Sequence, residues 1–164
     1  TNARHPEVAG PGHWNDPDYL GPQLGMTDEE FRSQMALWSM SAAPLVVGSD
    51  PRTFSQATIA ALTNPDLLAI DRDPLGKQAV RVGPAGTTET WTKPLADGST
   101  AVALVNRGEV PAEIKTTASA IGLGATRVCS TRSAPARYRC WSCRRAPVPR
   151  RVPVSSSPPR PSPP

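Results

Sequence analysis

The distribution of charge along the chain limits which part of it can form a folded core. All fourteen Asp and Glu residues lie in residues 1–127, whereas residues 128–164 hold eight of the eighteen basic residues and nine of the twenty prolines. The net charges of these segments are 10 − 14 = −4 and +8, which add to the formal charge of +4. A segment so rich in Arg, Pro and Ser cannot bury enough apolar surface to fold. We therefore expect a core within residues 1–127, followed by a disordered Arg/Pro-rich tail.

The first half of the chain has the pattern of alternating helix and strand. A capping box at 27–30, followed by apolar residues at helical spacing, predicts a helix that ends before Pro44. The apolar run 45–48 predicts a short strand buried on both faces of a parallel sheet. Further helices are predicted at 55–62 and after Asn64. This order is typical of α/β architectures.

After Gly76 the apolar pattern changes to a period of two, which is typical of strands. Asp97-Gly98 is a hairpin signal. The sequence predicts an incomplete antiparallel β-domain whose edge is left unpaired. The predicted strands lie near Val80 and at 87–92, 101–105 and 114–117.

The densest group of polar and aromatic residues is GHWNDPDYL at 12–20. Asp16 and Asp18 place two carboxylates two residues apart beside aromatic side chains. Carboxylates accept hydrogen bonds from sugar hydroxyls, and an aromatic face can stack on the apolar side of a pyranose. The same residue types also form ordinary turns. The residues alone therefore leave both a sugar-binding loop and a plain turn open.

Three stretches resemble family 27 glycoside hydrolases of the α-galactosidase type in order and spacing: GHWNDPDYL, GMTDEEFRSQMALWSMSAAPLVVGSD and LTNPDLLAIDRDPLGKQ. The resemblance covers roughly residues 8–106 and stops by residue 128. It implies an α/β fold: the last part of a (β/α)8 TIM barrel, expected at 1–77, and an incomplete antiparallel β-sandwich at 78–127. It also implies a fragment of a secreted or lysosomal enzyme that cleaves terminal α-linked galactose with retention.

The resemblance also implies roles for individual residues. Asp18 is expected to contact galactose hydroxyls, and Tyr19 to lie on the pocket wall. The family usually has Met at the position of Tyr19, so the outer shape of the pocket and the exact substrate stay open. Related enzymes of this family take galactose, N-acetylgalactosamine or β-L-arabinopyranose. Trp14 and Asn15 are expected to order the loop, and Asp16 to bond loop amides.

The chain is not expected to contain the catalytic pair of that family. Retaining glycosidases use two carboxyl groups about 5–5.5 Å apart. In the family these lie on earlier barrel strands, the nucleophile after a Lys in a strand-end motif and the acid/base shortly after a Trp-Arg pair, and neither motif occurs here. We therefore expect no catalytic residues, no cofactor and no activity of this chain alone.

Other polar residues give weaker signals. The two histidines with Asp16 and Asp18 lack the spacing of a metal site, so we expect no metal. The C-x-x-C spacing at 140–143 is that of a zinc knuckle or a redox pair. A zinc site needs a second pair of ligands, and only Cys129 remains for it. Asp50, after the predicted strand, is expected to cap a helix or to order its loop. No apolar run reaches the roughly 20 residues that a membrane span needs.

The basic tail allows two main interpretations. A nucleic-acid-binding protein would use its charge of +8, but Tyr138 and Trp141 are the tail's only aromatic residues. Alternatively the tail is out of frame, because a shift of one nucleotide allows 155–164 to read Val-Val-Val-Pro-Ala-Ala-Ala-Val-Ala-Pro, an apolar strand-like ending. We favour the frameshift and expect an α-galactoside as partner, no specific nucleic acid and no membrane. A non-catalytic sugar-binding remnant and any oligomeric state stay open.

Overall fold

The computed structural model describes residues 4–22 and 24–123, together with two strands at 128–132 and 139–141. The described α-helices are α1 (Asp28–Ser41), α2 (Gln56–Leu62) and α3 (Pro65–Asp71), with 3-10 turns at Pro6–Val8 and Pro51–Thr53. The strands are β1 (Val80–Val82), β2 (Thr88–Pro94), β3 (Thr100–Asn106), β4 (Glu113–Thr117), β5 (Val128–Arg132) and β6 (Arg139–Trp141).

The predicted capping box begins α1. The Thr27 hydroxyl accepts from the Glu30 amide at 3.3 Å, and the Glu30 carboxylate accepts from the Thr27 amide at 2.8 Å. The helix ends at Ala42, which adopts a left-handed conformation with φ 51°. Its inner face packs on the loop before it and on α2 and α3, in a cluster of buried residues: Leu20, Phe31, Met35, Ala36, Ala61 and Leu67.

Side-chain caps also begin α2 and α3, as the sequence predicted. The Ser55 hydroxyl accepts from the Thr58 amide at 3.0 Å and donates to the Asp28 carboxylate at 2.7 Å. The Asn64 side chain accepts from the amides of Asp66 and Leu67. Because Asp28 is the first residue of α1, the bond from Ser55 joins the starts of two helices.

The apolar run 45–48 does not form the predicted strand. It makes one isolated parallel bridge, Leu20 with Val47, in which the Leu20 amide donates to Val46 at 2.7 Å. Val46 is 61% exposed, so burial on both faces was a wrong prediction for this chain. The physical reason is that, among the described residues, no further strand covers the run.

The antiparallel β-domain is confirmed, with β3 as its central strand. One sheet has the order β1-β2-β3-β6, and β4 pairs with β5. Residues 101–106 are all buried, because β3 packs on both faces. Ala103 and Val105 lie in a core shared with Met40 of α1. Val102 and Leu104 pack on the other side, in a second cluster.

Two of these strands lie in the predicted tail. β5 pairs antiparallel with β4, and β6 pairs with β3, so β3 is not left with an unpaired edge. The prediction of a disordered tail is therefore wrong for 128–132 and 139–141. Strand pairing uses main-chain groups, which the charge and composition of the segment do not remove. The rest of the predicted tail lies outside the described residues, and the frameshift stays a prediction.

A buried lysine joins the sheet to the helices. Lys93 of β2 is fully buried, and its Nζ donates to the main-chain oxygen of Ser39 in α1 at 3.0 Å. Burial lowers the pKa of Lys93 to about 8, although the negative charges of Asp71 and Asp73 act to raise it. Burial likewise raises the pKa of Asp71 to about 6, although the positive charges of Lys93 and Arg72 act to lower it. Both groups are therefore shifted towards their neutral forms.

These shifts predict a pH dependence of the free energy of unfolding. Between the folded pKa of Lys93, about 8, and its ordinary value of 10.5, the unfolded state binds more protons, so stability rises with pH. Between the ordinary 3.8 of Asp71 and its folded value of about 6, the folded state binds more protons, so stability falls as pH rises. The contribution of this pair is therefore lowest from about pH 6 to pH 8.

Urea unfolding across this pH range measures the effect. Lys93→Met should remove the rise in the free energy of unfolding above pH 8. Asp71→Asn should remove its fall as the pH rises towards 6. The exposed Lys115 supplies the control, since Lys115→Met should keep the slope of the unmodified chain. Identical slopes in Lys93→Met and the unmodified chain would contradict the assignment.

Candidate functional site

Main-chain and amide contacts order the start of the predicted sugar-binding loop. Gly10 and His13 exchange two main-chain hydrogen bonds, at 2.8 and 3.0 Å. The Asn15 side-chain amide donates to the main-chain oxygen of His5 at 2.9 Å and to the Gln78 side chain at 2.8 Å. Asn15 therefore orders the loop, as the sequence predicted, and ties it to the segment before β1.

Trp14 packs away from the two predicted sugar contacts. A methyl group on Gly76, whose φ is 61°, would lie 2.8 Å from Cδ of Pro11 and 3.0 Å from Cη2 of Trp14. A cavity of about 450 Å³ opens beside Trp14, between the ends of α1 and α3. Neither Asp18 nor Tyr19 lines it. Trp14 thus belongs to the packing of the loop, and this cavity is distinct from the predicted sugar site.

The two carboxylates of the motif have different surroundings. Asp16 accepts from the Asp18 amide at 2.8 Å, the loop-ordering role expected for it. Asp18 has a φ of 78°, in the left-handed region that Asp tolerates better than most residues. Its main-chain oxygen accepts from the Trp38 indole at 2.9 Å, and its Oδ1 accepts from the Tyr19 amide at 2.8 Å. Among the described residues, Oδ2 of Asp18 has no hydrogen-bond partner.

Tyr19 has a fixed main chain and an exposed ring. Its main-chain oxygen accepts from the Gln34 side chain at 3.4 Å, and Gln34 also accepts from the Gly21 amide at 3.0 Å. The side chain is 47% exposed, and its ring contacts Gly48. The loop therefore holds Asp18 and Tyr19 side by side with their side chains at the surface.

Asp50 has the loop-ordering role that the sequence predicted. Its carboxylate accepts from the Arg52 amide at 3.0 Å and forms an ion pair with the Arg52 guanidinium at 2.6 Å. These hydrogen bonds from Arg52 hold the pKa of Asp50 below its ordinary value. Asp50 therefore stabilises the turn Pro51–Thr53 through its own neighbour.

The requirements of a metal site and of a membrane-spanning helix can be compared with the described part of the chain. No three of its His, Cys, Asp and Glu residues are grouped so that they could hold a metal ion. His5 bonds Glu7 at 3.1 Å instead of turning to the motif carboxylates. None of the described helices has the length and apolar character of a membrane span.

Two family models match this sequence. The model described as Alpha galactosidase A matches residues 2–73, and the model described as Alpha galactosidase C-terminal beta sandwich domain matches residues 85–137. The chain belongs to the α-galactosidase family. Its fold is accordingly that of part of the α-galactosidase TIM barrel followed by the β-sandwich domain. The second match continues past residue 128, so the expectation that the resemblance stops there was wrong.

Individual α-galactosidases show the same relationship. Alpha-galactosidase 2 of Arabidopsis thaliana is 38% identical over 132 residues, covering 80% of this chain and 33% of the relative. Alpha-galactosidase A of Homo sapiens is 39% identical over 125 residues, covering 76% and 29%. The Saccharomyces cerevisiae α-galactosidase structure with raffinose is 28% identical with a TM-score of 0.69, covering 76% and 30%. The chain thus spans about a third of the length of the α-galactosidases it matches.

Three residues that position this α-galactosidase loop were missed by sequence reasoning: Gln34, Trp38 and Gly48. The helical spacing of the apolar residues places Trp38 on the apolar face of the helix, yet its indole is a donor, and a part-buried indole usually finds an acceptor. That chemistry was a usable signal for a polar role. Gln34 and Gly48 carry no comparable signal, because their roles depend on contacts between distant segments.

The bond from Trp38 to Asp18 predicts a local effect of Trp38→Phe. Losing it should destabilise the loop by about 1 kcal/mol and speed hydrogen exchange at the Asp18 and Tyr19 amides. Nuclear magnetic resonance of the chain measures both exchange rates. Trp91→Phe is a matched control, since the Trp91 indole donates to Glu89 within β2, and its loss should leave both exchange rates in the loop unchanged. Equal rates in the two variants would show that the indole bond does not order the loop.

Proposed function

We propose that this chain is the C-terminal part of a retaining α-galactosidase-like glycoside hydrolase that cleaves terminal α-linked galactose from oligosaccharides or glycoconjugates. The barrel part is 1–77 and the sandwich part is 78–127, and the intact enzyme is secreted. The observation that carries the proposal is the loop at Asp18, whose main chain is fixed by three hydrogen bonds while one carboxylate oxygen stays open to solvent.

The fixed loop suits recognition of a sugar. An open carboxylate oxygen accepts hydrogen bonds from sugar hydroxyls, and charge-assisted bonds of this kind are stronger than neutral ones. Because the main chain is already ordered, binding costs little further conformational entropy. Tyr19 directly follows Asp18 in the sequence and supplies a ring and a hydroxyl to the pocket wall.

The chemistry requires groups that this chain does not supply. A retaining glycosidase needs a nucleophile and an acid/base about 5–5.5 Å apart on either side of the scissile bond. Asp16 and Asp18 do not form such a pair, because both lie on one short turn instead of on either side of the scissile bond. The catalytic carboxyl groups therefore belong to other barrel strands of the intact enzyme, and the hydrolysis needs no cofactor.

The purified chain should not turn over a nitrophenyl α-galactoside, because it lacks both catalytic carboxyl groups. The release of nitrophenol measures this directly. The control is a preparation from a host whose own α-galactosidase genes are deleted, which excludes a contaminant. Turnover above the buffer rate in that preparation would show that this chain contains a catalytic pair.

In the intact enzyme, Asp18→Ala should lower kcat/KM for an α-galactoside by about fivefold to a hundredfold, since each sugar hydroxyl left unpaired costs about 1–3 kcal/mol. Asp18→Asn keeps an oxygen for the Tyr19 amide but removes the charge. It should therefore fall between Asp18→Ala and the unmodified enzyme. Glu113→Ala, on the distant strand β4, is the control. An unchanged kcat/KM in Asp18→Ala would mean that this carboxylate only shapes the loop.

A further inference from the structure

Gly48 occupies a position where the ring of Tyr19 leaves no room for a side chain. A methyl group on Gly48 would overlap Cδ2 of that ring and would lie 2.8 Å from both Cγ and Cε2. Real side chains essentially never approach a ring so closely. Gly48 does not have a positive φ, so an alanine would fit its backbone conformation. Glycine at this position therefore leaves the space that the ring of Tyr19 occupies.

Hydrogen bonds on both segments fix this contact. The amide of Leu20 donates to Val46 at 2.7 Å, and the amide of Gly48 donates to Leu20 at 2.8 Å. Tyr19, the residue before Leu20, is thereby held beside Gly48. Its own main-chain oxygen bonds Gln34 of α1. If a methyl group were added at Gly48, the half-exposed ring of Tyr19 would move before the main chain did.

We propose that Gly48 is a specificity-determining residue, because it lets the ring of Tyr19 lie against the neighbouring segment and so fixes the outer wall of the sugar pocket. This inference rests on the proposed function of Tyr19. Among the described residues the phenol hydroxyl has no hydrogen-bond partner, so it is available to a substrate. The ligand class is a pyranoside with a hydroxyl in reach of the phenol, and related sugars that differ in one ring substituent are discriminated by this contact.

The test compares Gly48→Ala, Tyr19→Met and the double variant in the intact enzyme. The substrates are nitrophenyl α-galactoside, nitrophenyl α-N-acetylgalactosaminide and nitrophenyl β-L-arabinopyranoside. Gly48→Ala should change the ratio of kcat/KM between two of these sugars by about fivefold, the effect of one hydrogen bond. The change should appear in KM more than in kcat, with thermal unfolding unaltered. In the Tyr19→Met background, Gly48→Ala should have no further effect, because a flexible Met side chain avoids the methyl group.

Gly86→Ala is the matched control, since its nearest neighbour is the Thr88 oxygen at 3.7 Å in a turn of the β-domain. Its substrate ratios should equal those of the unmodified enzyme. An unmodified enzyme without glycosidase activity would overturn the proposed function. An active enzyme whose ratios do not change in Gly48→Ala, or change equally with and without Tyr19, would overturn this inference alone. Loss of activity in Gly48→Ala towards all three sugars together with lowered thermal stability would also overturn it.

The geometry can be checked in the chain itself, without any activity. The ring current of an aromatic side chain in contact with Gly48 shifts the resonances of the glycine's α-protons, and Tyr19→Met should abolish that shift. Nuclear magnetic resonance of the two chains measures it. Identical Gly48 resonances in both would show that the ring does not lie there, which overturns the inference independently of the enzyme assays.

Discussion

The packing of α1 on two sides is the constraint on which the rest of the described structure depends. Its inner face buries Phe31 and Met35 against α2 and α3, and Met40 near its end lies in the core of the sheet. The last carbonyl groups of a helix have no partners within it. Here they are used by the β-domain: Ser39 accepts from Lys93, and Met40 accepts from the amide just before β1. The end of one helix therefore sets where the sheet lies.

The same helix orders the candidate site. Trp38 and Gln34 point back to the loop and bond the main-chain oxygens of Asp18 and Tyr19. These bonds fix the main chain of the loop while leaving the side chains of Asp18 and Tyr19 exposed. A rigid scaffold that presents exposed polar groups on a loop is the usual arrangement of a binding site. Sheet packing and the candidate site thus share one element, so a change in α1 affects both.

Much of the fold could be predicted because its signals are local. The capping box at Thr27 and the caps at Ser55 and Asn64 act over three residues, and all three begin helices. The alternation in β2 to β4 gave strands near the predicted bounds. The prediction of a buried strand at 45–48 was wrong because the burial of this run depends on neighbours beyond its own sequence. The strands β5 and β6 were not predicted, because the main-chain groups of an edge strand pair with another strand whatever the composition of that strand is.

The sequence by itself determined the helices, the period-two strands and the motif that contains Asp18 and Tyr19, together with the family to which they belong. Only the tertiary structure decided how that motif is held. Trp38 is twenty residues from Asp18 along the chain, and Gly48 owes its role to a ring 29 positions earlier. Local patterns encode hydrogen bonds between near neighbours. Contacts between distant segments arise only when the chain packs, so the residues that position the site became visible only in the fold.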